Sequence, residues 1–141
     1  MASIIYDSYW GDLVRNNIVP TTDTYKMMLT TSAYTESKGS HSRRSHITDE
    51  VAGAGYSAGG ETVTCTLSSL DTVNHVQVLT FGQVQWTSST ITARKAVIYK
   101  SRGGASTADE LVGVVDFGQD IVSTNSTFTV PASTLTITNG A

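Results

Sequence analysis

His41 and His46, with Asp49 and Glu50 just downstream, are the residues whose types come nearest to a metal cluster. Imidazole nitrogens and carboxylate oxygens are zinc donors. A His-x4-His pair in a Ser-rich stretch fixes no ligand geometry, so the group reads as a solvated loop and no metal is expected. Arg43 and Arg44 lie between the two histidines. Guanidinium forks bind carboxylates bidentately, so this basic spot is a candidate contact for an acidic partner surface, together with His46. Gly53-Ala54-Gly55 and Gly59-Gly60 superficially resemble phosphate-binding loops. No Lys follows them and the next segment reads as a strand, so they are tight turns. Serines abound, but no Gly-x-Ser-x-Gly elbow presents one as a nucleophile. Asp71, Asp109, Glu110, Asp116 and Asp120 show no pairing of the glycosidase kind. Cys65 alternates with threonines and reads as a small buried hydrophobe. Asn125-Ser126-Thr127 matches a glycosylation sequon, without a secretory signal before it. The chain therefore reads as a non-enzyme with no cofactor.

Aromatic residues offer a different kind of function. Tyr6, Tyr9 and Trp10 crowd one short segment. A helix carrying both Tyr9 and Trp10 shows aromatic surface on more than one side, and such residues concentrate at interface hot spots. Tyr6, Tyr9, Trp10, Arg43, Arg44 and His46 are accordingly the candidate partner-contact residues. Trp86, inside a strand pattern, reads as core. Trp86 or Tyr56 could also stack on a sugar, which keeps a carbohydrate-binding module as a lower-ranked alternative.

The elements that must position these residues are mostly strands. Tyr6, Trp10, Leu13 and Val14 fall at helical spacing, which predicts one amphipathic helix over Ser3–Asn16, ended by Asn16-Asn17 and Pro20. Asp23–Thr31 alternates as a strand, with Met28 on a second, partly covered face. Residues 32–50 have no periodicity and form a long polar loop; loops of that length are uncommon without a function. Glu61–Leu67, Val73–Phe81, Gln83–Trp86, Thr90–Lys100, Glu110–Phe117, Ser126–Val130 and Thr134–Thr138 read as further strands. Ala96-Val97-Ile98-Tyr99 is apolar throughout, the pattern of a central strand buried on both faces. It pairs with Leu111–Phe117 across a Gly-Gly loop. About eight short strands, one N-terminal helix and Gly-rich turns make the fold mainly β, a β-sandwich or jelly-roll-like barrel.

Composition agrees. The chain has 141 residues, enough for one domain, with the N-terminal helical segment and a β domain over about 22–138. Only 15% of residues are charged, and Ser and Thr together supply 39 of the 141, which suits exposed strand faces. A net charge of −3 argues against binding nucleic acid through its phosphates. One cysteine excludes an internal disulfide, and no apolar run is long enough for a membrane helix.

Several segments carry a resemblance when read in order. They are Asp23-Thr24-Tyr25-Lys26-Met27-Met28-Leu29, Ala33-Tyr34-Thr35, Gly55–Thr64, Trp86–Lys100 and Leu111–Gly118. The chain resembles a family of small virion proteins of tailed bacteriophages, from about Leu13 to Val130. The resemblance implies a β-rich structural protein of the phage particle, made in the bacterial host cytoplasm and located on the virion. The first expectation is a capsid decoration or cement protein on the outer surface of the major capsid protein shell. It would be a symmetric dimer or trimer that stabilises the head, with no direct nucleic acid and no membrane partner. The alternative is a neck or tail structural component.

Overall fold

In the computed structural model, which describes residues 2–138, the fold is built around two long antiparallel strands, β6 (Val84–Lys100) and β7 (Leu111–Val130). Their apolar runs pair as expected: Ala96 faces Val115 and Val97 faces Val114. β2 (Tyr25–Thr30) joins the far side of β6, with Met28 opposite Val97. β3 (Glu61–Val63) extends the sheet beyond β2, and β1 (Ala2–Ile5) pairs along β7. The five-stranded order is β1-β7-β6-β2-β3.

Beyond Ala93 and Ile121 the β6–β7 pair continues as a two-stranded ribbon. Gly82-Gln83 and Pro131-Ala132 link this ribbon to β5 (Val76–Phe81) and β8 (Ser133–Thr138), which pair with each other from Phe81–Ser133 to Val76–Thr138. β4 (Cys65–Leu67) completes a second sheet of order β4-β5-β8. The protein is thus mainly β, with eight strands in two antiparallel sheets and one helix, α1 (Asp7–Val14), near the N-terminus.

The pleat divides the apolar residues into two cores. The row Met27–Ile98 faces the second sheet, where Trp86, Phe128, Tyr25 and Phe81 fill the space and Tyr9 and Ile18 enter from α1 and its exit. The neighbouring row Met28–Val97–Val114 faces the opposite way, because successive side chains of a strand alternate. It is covered by Tyr6, Tyr34 and Ile47, so segment 31–47 is the third layer. This explains why β6 is apolar on both faces through Ala96–Tyr99, and why Met28 is buried rather than partly covered.

Four expectations need correction. The helix does not start at Ser3: Ser3, Ile4 and Ile5 lie opposite Val115, Val114 and Gly113, and α1 runs only from Asp7 to Val14. β-branched Ile4-Ile5 favours the strand, and the edge of β7 supplies the partner. The buried face of α1 is also not the expected stripe. Tyr9 and Asp12 are buried and Leu13 half-buried, whereas Trp10 and Val14 point to solvent. Glu61–Leu67 breaks at Thr64 into two strands of different sheets. Conversely, Gln83–Trp86 merges with Thr90–Lys100, and Glu110–Phe117 with Ser126–Val130, because bulges carry each strand through its irregular stretch. Ser88 and Asn125, at φ 50° and 45°, mark those irregularities.

Candidate functional site

The two elements singled out for partner contact, α1 and the polar loop, are neighbours in space. The Asp7 N–H donates to the Lys38 carbonyl at 3.0 Å. The Arg43 guanidinium lies 3.7 Å from the buried Asp12 carboxylate on α1. Residues 36–46 therefore lie beside the helix, and together they form one face of the molecule.

A buried polar chain secures this face. Tyr6, immediately before α1, has its hydroxyl 2.7 Å from that of Tyr34. The Tyr34 hydroxyl is 2.9 Å from His41 Nδ1, which also accepts the Ser37 N–H at 3.3 Å. An Nδ1 that accepts a backbone N–H carries no proton, so Tyr34 donates to His41 and Tyr6 donates to Tyr34. Burial pushes both phenols above their ordinary range. Burial, followed by the nearby His46 ring, holds the His41 imidazole below its usual value. The two histidine rings lie 5.8 Å apart, and His46 Nδ1 accepts the Ser42 N–H at 3.0 Å. Asp49 instead bonds Thr48, and Glu50 accepts from Tyr56 and Gly59. Among the described residues no cluster of His, Cys, Asp and Glu has the shape of a metal site.

Charged groups inside the molecule complete the anchoring. Lys95 points from the central strand into the loop layer, where its ammonium donates to the Tyr34 carbonyl at 2.8 Å and to Glu36. It also lies 5.6 Å from the Tyr34 ring centre. The Arg44 Nε donates to the Asp109 carboxylate at 2.7 Å, with its guanidinium over the Tyr99 ring. Arg102 clasps the neighbouring buried Glu110. Buried charges of this kind persist only when paired and hydrogen-bonded.

The six candidate contact residues therefore divide. Tyr6 and Tyr9 are almost wholly buried and offer nothing to a partner; this corrects their assignment. Tyr6 is held by the Tyr34 hydroxyl, and Tyr9 by the inter-sheet core. Arg43 and Arg44 are only part-exposed, and their guanidiniums are engaged with Asp12 and Asp109 inside the chain. They position the loop instead of reaching outward. His46 is exposed. Trp10 is 46% exposed, with its ring 5.5 Å from that of Tyr9, and Val14, one turn later on the same helix face, is 88% exposed. Among the described residues this is an outward apolar pair on a helix whose opposite face is locked. No family model matches the chain, and neither a curated protein nor a solved structure matches it.

Sequence reasoning missed the residues that lock this face: Asp12, Tyr34, Glu36, Lys95 and Asp109. One of them was signalled. Lys95 sits at the head of the apolar run Ala96–Tyr99, and a charge in a central strand demands a partner. The partner itself, Glu36, lies 59 positions away and could not be read from spacing. Trp86 is core, as expected, at 2% exposed, and Tyr56 packs 6.0 Å from it, so the sugar-stacking reading loses its platform.

Proposed function

We propose that this protein is a bacteriophage capsid decoration or cement protein, docking on the outer surface of the major capsid protein shell through the Trp10–Val14 face of α1. The observation that carries the reading is that exposed aromatic–aliphatic pair on a helix pinned to a rigid β scaffold. A desolvated tryptophan anchor is a common source of interface energy, and a fixed helix loses little entropy on docking. The resemblance to small virion proteins supplies the partner class. On a shell, symmetric repetition multiplies modest contacts into firm attachment. The chain as a whole is rich in Ser and Thr and poor in charge, which suits contacts that salt screens weakly.

The test is addition of the purified protein to expanded heads that lack it, with bound copies counted after sedimentation. Saturation at hundreds of copies in a simple ratio to the major capsid protein is expected. Binding to isolated tails or necks at tens of copies or fewer, and not to heads, would overturn the reading in favour of a neck or tail component.

A further inference from the structure

Outside the bulged β6–β7 ribbon, the two sheets have four edges among the described residues, and three of them are short. β1 has four residues, and β3 and β4 have three each. Short edge strands are a common protection against pairing with other chains. β8 differs: it has six residues, Ser-Thr-Leu-Thr-Ile-Thr, and it pairs with β5 in unbroken register, without a bulge. Among the described residues no strand lies on its other side. It also lacks the other usual guards. From Ile121 to Ala141 the sequence carries no charged side chain, and β8 itself contains no proline. An uncharged, flat, β-prone edge of this length is a template for another strand.

The sequence of β8 says which strand fits. Thr134, Thr136 and Thr138 are exposed on one face, while Leu135 is half-buried and Ile137 is 38% exposed on the other. An antiparallel partner of the same sequence, centred on Thr136, sets Thr134 against Thr138 and Leu135 against Ile137. Threonine then meets threonine and aliphatic meets aliphatic from Thr134 to Thr138, the cross-strand pairs that stabilise a sheet. A two-fold axis through Thr136 closes the arrangement, so both edges are consumed and no open fibre forms. We infer that β8 is a homodimerisation edge: two copies join β8 to β8 antiparallel about Thr136, fusing their three-stranded sheets into one of six strands. This pairing stands independently of the shell-docking reading, and its test contains no capsid.

Sedimentation equilibrium of the full chain tests it, with Thr136→Lys and Thr136→Glu as variants. Thr136 is exposed, so either change leaves the protomer folded, which an unchanged far-UV circular dichroism spectrum verifies; the thermal midpoint falls toward that of the monomer, because dimerisation stabilises the folded chain. The wild type is expected at twice the 15.0 kDa protomer mass. Each variant alone sets like charges face to face at the two-fold axis and weakens association by about tenfold or more. An equimolar mixture of the two variants restores the dimer. A wild type that stays monomeric, the outcome expected if a different protein supplies the strand, overturns the inference. A dimer that both variants leave intact, or a mixture that fails to reassociate, overturns it too.

Discussion

The Tyr6 hydroxyl donates to the Tyr34 hydroxyl at 2.7 Å, joining the residue just before α1 to the polar loop that forms the third layer. Through that bond, and the His41 contact beyond it, the orientation of Trp10 depends on residues far away in the chain. Removing one member should loosen the face without unfolding it. Tyr6→Phe is expected to cost about 1 kcal/mol, because the Tyr34 hydroxyl keeps its acceptor. Tyr34→Phe should cost more, because it strands the buried Tyr6 hydroxyl and leaves His41 Nδ1 with only the longer bond from the Ser37 N–H. Urea unfolding of the two single variants and the double variant checks this, and the double should cost less than the sum of the singles.

The same chain predicts a pH dependence. The folded-state pKa of His41 lies below its unfolded value, so the protonated form is disfavoured by folding. Its contribution to stability is complete above the unfolded value, near about 6.5, and is lost as pH falls from there through the folded value. The urea midpoint should therefore drop between neutral and mildly acidic pH, and His41→Gln should blunt that drop. Asp116 adds a second loss at lower pH. Its carboxyl is held below the usual range by the Arg94 guanidinium, so its contribution is present above the unfolded value and disappears as pH falls through the folded one. Arg94→Gln should reduce that acidic loss alone.

Arg44→Ala should be a stability variant rather than a contact variant. Asp109 is 1% exposed, and without Arg44 it keeps only the Arg102 N–H as a neighbouring donor. Stranding a buried carboxylate costs on the order of 3 kcal/mol. A lowered urea midpoint, with unchanged capsid occupancy of whatever remains folded, is the expected pattern.

Gly60→Ala should be the most damaging conservative change. Gly60 has φ 77°, and a Cβ there would lie 1.8 Å from the Met27 carbonyl oxygen. Both the left-handed backbone and the contact with β2 oppose a side chain. The expected loss is about 3 kcal/mol or more, seen as insolubility or a large shift in the urea midpoint.

The sequence made the strand content legible because period-2 alternation is local: Tyr25-Met27-Leu29 and the pairing of Ala96–Tyr99 with Leu111–Phe117 follow directly from it. Gly59-Gly60 was legible as turn chemistry for the same reason. The N-terminus was not. The helical spacing of Tyr6, Trp10, Leu13 and Val14 masks the β-branched Ile4-Ile5 just before it, which pairs as a strand on the distant edge of β7. The burial of Asp12 was not legible either, because a charged residue marks the solvent face of a helix unless an arginine such as Arg43 arrives from elsewhere to pair with it. Of the proposed contact face, the sequence singled out Trp10 and the two elements that meet, but it could not separate Trp10 from Tyr6 and Tyr9. That separation depends on Tyr34 and on the inter-sheet core.

Docking through the α1 face is tested most directly by the occupancy of heads by Trp10→Ala, with Val14→Ser as a second variant. Val14 is 88% exposed, so Val14→Ser should alter stability by no more than about 0.5 kcal/mol. Trp10→Ala also loses its packing on the Tyr9 ring and should cost about 1–2 kcal/mol, which leaves the protein folded. Copies bound per head at a fixed protein concentration should fall at least about tenfold for Trp10→Ala and less for Val14→Ser, as expected when an aromatic anchor dominates. Wild-type occupancy by both folded variants would contradict docking through this face.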